Sequence, residues 1–143
     1  MLNKRTLLII LILIIIPLES YAKRAAIIID YETNKTLFEV NADTPNYPTS
    51  LVKMMTLYII FEELQNNKIN WDQKLQVSAN ASARSPSKLY LEPGSNIMVK
   101  DAVMALIIKS ANDVATVVSE NLAKSEKDFA KKMTKKAKEL GMK

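Results

Sequence analysis

Hydrophobic and polar positions fall into three rhythms along the chain. Residues 7–18 form an apolar run interrupted only by Pro17, with Lys4 and Arg5 ahead of it. Two short segments follow, 25–30 (AAIIID) and 36–40 (TLFEV), rich in β-branched and aliphatic residues. They predict two strands joined through Glu32-Thr33-Asn34-Lys35, with Asn34 best suited to a left-handed backbone. A lone hairpin is marginal in water and needs more sheet or a packed helix. Past Pro45 and Pro48 the rhythm becomes helical, and a helix is predicted over 50–65. Its apolar positions run from Leu51 to Leu64 and leave almost no polar face. Such a helix is expected to be buried and central.

The remainder reads as short connections and further helices. The polar stretch 66–70 ends the first helix, 75–77 suits a short strand, 78–88 reads as a loop, and Glu92-Pro93-Gly94-Ser95 as a turn. Helices are predicted over 99–109 and 112–123. A last one begins at Ser125, where Ser125 and Asp128 resemble a capping box. In that helix Phe129, Met133, Ala137 and Leu140 share one face, which makes its lysines a solvated face. One hairpin followed by a helical remainder is an α+β pattern. No internal repeat or low-complexity tract interrupts it.

The N-terminal apolar run changes how much of the chain belongs to that fold. A basic start, a dozen apolar residues and Ser20-Tyr21-Ala22 before Lys23 form the order of a secretory signal peptide over 1–22. The run is shorter than the roughly 20 residues that span a bilayer; an uncleaved anchor or a buried helix are the other readings. Residues 23–143 then make one domain at most, exported to the periplasm or the outer face of the cytoplasmic membrane. With no cysteine, that domain has no disulfide support. The formal charge of +5 is local. Residues 23–123 carry ten Lys/Arg against eleven Asp/Glu, and residues 124–143 carry eight Lys against three acids. Phe129 is the only aromatic residue of that basic segment, so nucleic acid is not an expected partner.

Composition also narrows the chemistry. With neither His nor Cys, a Ser-His-Asp triad, an imidazole or thiolate metal site and a thiol nucleophile are excluded. Two glycines cannot make a Gly-rich phosphate loop. No metal or cofactor is expected. The strongest remaining candidate is Ser50-Leu51-Val52-Lys53 at the opening of the first helix. Residues three apart share a helix face, so the lysine amine can reach the serine hydroxyl. A lysine drawn into the interior loses solvation that favours its charged form and can then accept a proton. The helix N-terminus offers free N–H groups to a developing oxyanion. The pattern occurs three times, at Ser20–Lys23, Ser50–Lys53 and Ser85–Lys88, and only the second opens an apolar helix. A helix-terminal serine beside a snorkelling lysine is the plainer reading. Ser-x-Asn also occurs three times, at Ser78–Asn80, Ser110–Asn112 and Ser119–Asn121. Ser110 and Asn112 sit at a predicted helix junction, able to project into a cleft or, more simply, to cap the next helix.

Longer strings are more specific. YPTSLVKMMTLYIIFEEL resembles the nucleophile segment of the penicillin-binding serine-type D-alanyl-D-alanine carboxypeptidases. LYLEPGSNIMVKDAVMALIIKSANDVATVVSE resembles the stretch leading into that family's Ser-x-Asn motif. The hairpin AAIIIDYETNKTLFEVNAD and the ending FAKKMTKKAKELGMK fit in the same order. The resemblance implies a β-lactamase/DD-peptidase (transpeptidase)-like α+β fold. It makes Ser50 the acylated nucleophile, Lys53 its general base, Ser110 a proton relay and Asn112 a substrate-binding amide. The implied reaction removes the terminal D-alanine of a peptidoglycan stem peptide through an acyl-serine, and β-lactams are trapped at the same residue. The class A β-lactamase branch fits less well, because Ser-Ala-Asn stands in place of Ser-Asp-Asn.

One family motif has no match. Neither Gly94 nor Gly141 is preceded by Lys-Thr or Lys-Ser, so the Lys-Thr-Gly that holds the substrate carboxylate is absent. The resemblance therefore implies that 23–143 is a partial, truncated catalytic domain: the N-terminal hairpin plus the helical half, with later sheet strands missing. The expected activity is a carboxypeptidase impaired by that loss. The alternative is a catalytically inactive secreted remnant, or a fragment needing a partner chain that carries the missing strands. Either way, one face of the helical core is expected to be exposed.

Overall fold

The computed structural model describes residues 24–142, so the expected leader over 1–22 and the Ser20–Lys23 pair lie outside the described residues. The chain divides into two compact units, Met1–Tyr47 and Pro48–Lys143.

In the first unit, β1 (Ala26–Ile29) and β2 (Thr36–Val40) form the predicted antiparallel hairpin. Ala26 lies opposite Val40 and Ile28 opposite Phe38, with a register slip between Ile28 and Ile29. Asp30 organises the turn. Its carboxylate accepts the Thr33 hydroxyl at 2.6 Å and the Thr33 N–H at 2.8 Å. These bonds hold the Asp30 carboxyl below its ordinary value. Asn34 takes φ 55°, the left-handed backbone expected of it. The Asn41 amide donates to the Arg24 carbonyl at 2.9 Å and ties the open end. Ile27, Ile28, Ile29, Leu37 and Phe38 remain more than half exposed.

The second unit opens with a 3₁₀ turn, Thr49–Leu51, that runs into α1 (Val52–Gln65). There follow β3 (Lys74–Gln76), the single-turn α2 (Ala79–Ser82), β4 (Asn96–Met98), α3 (Val99–Lys109), α4 (Asn112–Leu122) and α5 (Glu126–Glu139). The two strands pair antiparallel with Leu75 opposite Ile97, both buried. Sequence reading placed the first strand within a residue and missed its partner. Three residues are too few to show an alternation, and their pairing alone makes them a strand. The stretch 78–88, expected as loop, contains α2, which Ser78 caps by accepting the Ala81 N–H at 2.9 Å.

The central helix is α4, not α1. Asp113, Val114, Thr116, Val117, Val118 and Ser119 are all buried on α4, which packs against α1, α2, α3, α5 and β3. Of α1, only Thr56, Ile59, Ile60 and Glu63 are buried, while Met54, Tyr58 and Phe61 stay exposed, as does Leu51 in the turn before it. An apolar sequence all round α1 signals what it could bury, and within this unit only one side has neighbours to bury it against. Met104, Ile107 and Ile108 of α3 are likewise exposed, and Phe61 meets Trp71 with ring centroids 6.3 Å apart. Among the described residues, no helix is long and apolar enough to cross a membrane.

Helix α5 starts as expected. Ser125 Oγ accepts the Asp128 N–H at 3.1 Å and donates to the Asp128 carboxylate at 2.8 Å. Phe129 is buried and Met133 packs beside it, but Leu140 falls past the last turn and is exposed. The lysines are not all solvated. Lys132 reaches the buried carboxylate of Glu63 on α1. Lys136 bonds Glu62 at 2.7 Å and Glu139 at 2.6 Å, which raises it above its ordinary value. Burial pushes the Glu63 carboxyl up; the hydrogen bond and charge of Lys132, with the charge of Lys68, outweigh it and hold Glu63 below its usual value. These pairs tie α5 to the C-terminal end of α1.

Candidate active site

The turn that presents Ser50 is irregular for a reason visible in the chain. Pro48 cannot continue a hydrogen-bonded ladder, and Thr49 takes φ 36°, a conformation that a β-branched residue adopts only under constraint. The Leu51 N–H then bonds the Pro48 carbonyl at 2.8 Å, closing the 3₁₀ turn. Ser50 therefore sits in that turn rather than in the α-helix expected to begin there. Lys53 follows in the first turn of α1, three residues on.

Ser110 marks the second irregular point. It closes α3 in the left-handed region, φ 53°, and its hydroxyl caps nothing; Ala111 stands at the N-cap of α4. The simpler reading of Ser110 as a helix cap is thus not what the structure contains. Asn112 is anchored by both ends of its amide chemistry. Its backbone N–H donates to the Ser87 carbonyl at 2.7 Å, and its side-chain Nδ2 donates to the Ser85 carbonyl at 3.0 Å. The segment carrying those carbonyls is itself fastened to the α3–α4 junction. Ser87 Oγ donates to the Lys109 carbonyl at 2.8 Å, and Asp113 accepts the N–H groups of Leu89 and Leu91 at 3.0 and 3.2 Å.

Lys53 and Asn112 line one cavity of about 540 Å³, with Thr49, Arg84, Ser85 and Ser119 also on its wall. Ser50 and Ser110 are not on that wall. Among the described residues, the side chains of Ser50, Lys53 and Ser110 make no hydrogen bond or ion pair, and none links them to one another. Ser50 is exposed; Lys53, Ser110 and Asn112 are partly buried.

Most side chains of the competing motif matches are occupied; the Ser85 hydroxyl is the exception among the described residues. Ser78 caps α2, and Asn80 donates to Glu120 at 2.7 Å. Ser119 Oγ donates to the Thr116 carbonyl, and Asn121 holds the free edge of β3 through both the N–H and the carbonyl of Gln76. Lys88 donates to the Ser82 carbonyl at 2.8 Å and lies over the Tyr90 ring. Among the matches within the described residues, Ser50–Lys53 leaves both its hydroxyl and its amine uncommitted and Ser110 leaves its hydroxyl free; in Ser85–Lys88 the Ser85 hydroxyl is free but the lysine is held.

Residues 16–143 match the D-alanyl-D-alanine carboxypeptidase family, peptidase S11. The chain belongs to that family. It is 36% identical over 124 residues to the D-alanyl-D-alanine carboxypeptidase DacF of Bacillus subtilis, covering 87% of this chain and 32% of the relative. It is 34% identical over 125 residues to DacC of Escherichia coli, covering 83% and 31%. The fold matches the crystal structure of DacD from Francisella tularensis with a TM-score of 0.78 and 31% identity, covering 87% of this chain and 30% of that one. It also matches penicillin-binding protein D2 of Listeria monocytogenes in its ampicillin-bound form, with a TM-score of 0.68 and 32% identity, covering 89% and 50%. Over the matched 87% of its residues the chain thus has part of the DD-peptidase fold, and it spans about a third of the length of the curated relatives it matches.

Sequence reading missed two acids near the candidate site, Asp113 and Glu126. Asp113 is fully buried and holds the 87–91 segment in place, and Arg84 pairs with Glu126, which also accepts from Thr116 at 3.1 Å and Asn80 at 3.2 Å. The signal for Asp113 was present: an acid just ahead of a largely apolar run, Val114–Val118 with only Thr116 polar, has to find donors if that helix is buried.

Proposed function

We propose that Ser50, Lys53, Ser110 and Asn112 form an acyl-transfer site for peptides ending in D-Ala-D-Ala. The observation that carries the reading is that Ser50–Lys53 is the Ser-x-x-Lys match, among the described residues, with both serine and lysine side chains free, and that Ser110 is free where Ser78 and Ser119 are held. Ser50 Oγ attacks the carbonyl carbon of the penultimate D-alanine while its proton passes to the Lys53 amine. The scissile C–N bond breaks, and the departing D-alanine amine takes a proton from Ser110, which regains one from protonated Lys53. Water then hydrolyses the Ser50 ester and restores the hydroxyl. Asn112, held by Ser85 and Ser87, uses its free carbonyl oxygen to accept from the substrate backbone. A β-lactam enters by the same attack, and its ring amide opens onto Ser50. The ampicillin-bound relative supports that extension.

In this reading residues 1–22 are a signal peptide that sends residues 23–143 to the periplasm or the outer face of the cytoplasmic membrane. These 143 residues hold no Lys-Thr-Gly, so turnover by these residues on their own is expected to be impaired. The exposed apolar side chains of α1 and α3 favour a second reading, a fragment that works only beside a partner chain carrying further strands, or an inactive secreted remnant.

Fluorescent penicillin, applied to the chain and to Ser50→Ala, tests the first reading. Covalent labelling that disappears in Ser50→Ala supports it, and labelling that survives overturns it. A folded chain that takes no label favours the second reading.

A further inference from the structure

We infer that the outer face of α5 is a docking surface for an anionic phospholipid bilayer. Two of its lysines, Lys132 and Lys136, turn inward to Glu63 and Glu62 and hold the fold together. Lys127, Lys131, Lys135 and Lys138 do not. Their spacing of four, four and three residues puts them on one helix face, where with Ala130 and Thr134 they line a surface depression of about 490 Å³.

Neutralisation of this ridge is incomplete. Lys131 pairs with Asp128 at 2.8 Å, and Lys135 lies 3.8 Å from Glu139, whose other oxygen is held by Lys136. Lys127 and Lys138 have no ion pair among the described residues. Four ammonium groups therefore stand along about 16 Å of helix, with only small side chains between them. That arrangement suits a broad field of phosphate charge better than a shaped ligand. The ridge has no aromatic residue to stack on a base and no arginine fork to grip one phosphate. Long lysine stems can reach a headgroup layer while α5 stays packed on α1. Leu140 and Met142 are exposed just beyond the last turn and supply apolar contact at the same end. The proposal does not depend on the acyl-transfer reading, although export would bring a bilayer within reach.

Co-sedimentation of the full chain with vesicles tests it. Phosphatidylcholine vesicles measure the charge-independent background, including that from the apolar run over 7–18, and phosphatidylglycerol-containing vesicles measure the ridge. Binding to the anionic vesicles is expected to exceed the background and to fall steeply with salt. The variant Lys127→Gln/Lys131→Gln/Lys135→Gln/Lys138→Gln should lose at least about tenfold of that excess. Lys35→Gln/Lys74→Gln/Lys100→Gln/Lys109→Gln, with the same net charge, should stay within about twofold. Should the first variant lose its helical circular dichroism, Lys127→Gln/Lys138→Gln removes the two lysines without partners and should show a smaller loss. No excess on anionic vesicles overturns the proposal, as does equal loss in ridge and control variants. Tighter ridge-dependent binding to duplex DNA than to vesicles overturns it as well.

Discussion

Replacing Asp113 by alanine should detach the segment that frames Asn112. The carboxylate is fully buried and accepts the N–H of Leu89 through both oxygens, the N–H of Leu91 at 3.2 Å and that of Val114 at 2.9 Å. A hydrogen bond to a charged acceptor contributes about 1.5–3 kcal/mol net. The two bonds to the 87–91 segment therefore set a loss of about 3–6 kcal/mol if nothing replaces them. Leu89 is partly exposed, so water regains some of this, and about 3 kcal/mol is the expected cost. Asp113→Asn keeps one acceptor oxygen and should lose roughly half as much. Urea unfolding measures the global change. Amide exchange at Leu89 and Leu91 separates local release from global loss, since both should exchange faster even where the core stays protected. A cost within about 0.5 kcal/mol of zero, with exchange at both amides unchanged, would refute the assignment of Asp113 as the anchor.

Further expectations follow from the same packing. Glu63 titrates lower in the folded chain than its ordinary 4.5. Its contribution to stability is therefore complete above about that pH and disappears as pH falls through the folded value. Glu63→Gln should flatten the acid limb of a stability-against-pH curve, and an unchanged limb would count against the Lys132 pair. Ile60→Ala, at a site 1% exposed, should cost about 2–5 kcal/mol in urea unfolding. Met54→Ala, on the same helix but 67% exposed, should change stability by less than about 0.5 kcal/mol. A large cost at Met54 would mean that this side of α1 is covered in solution.

The parts of the fold written in local patterns were legible. The hairpin, Asn34 in its turn, the 99–109 helix, the helix expected over 112–123 and found over 112–122, and the Ser125 cap each depend on a few neighbouring residues, and each lies within a residue of where the sequence puts it. What depends on distant partners was not legible. Hydrophobic periodicity gave α1 an apolar surface all round, yet burial needs neighbours, and α4 took the central position because five elements converge on it. β4 exists only through β3. The division of the α5 lysines into an inward pair and an outward ridge required Glu62 and Glu63, more than sixty residues away, to be in reach.

The candidate site shows the same division in finer grain. Spacing alone offered three Ser-x-x-Lys and three Ser-x-Asn matches of equal standing, and a short motif cannot rank itself. Hydrogen-bond accounting ranks them, because a side chain used for capping or for tying a strand edge is not free to move a proton. Ser78, Ser119, Asn80, Asn121 and Lys88 are all so used. Ser50 and Ser110 are different in two independent respects. Their hydroxyls hold nothing, and the backbone at Thr49 and at Ser110 itself takes positive φ, a conformation costing on the order of 1–3 kcal/mol that persists only where surrounding contacts impose it. At Ser110 those contacts are identifiable, since Ser87 bonds the carbonyl of Lys109 on one side and the N–H of Asn112 on the other. The 85–91 segment of the β3–β4 connection is therefore fastened to the candidate site residue Asn112 and to Lys109 before Ser110, with Asp113 holding its Leu89 and Leu91 end.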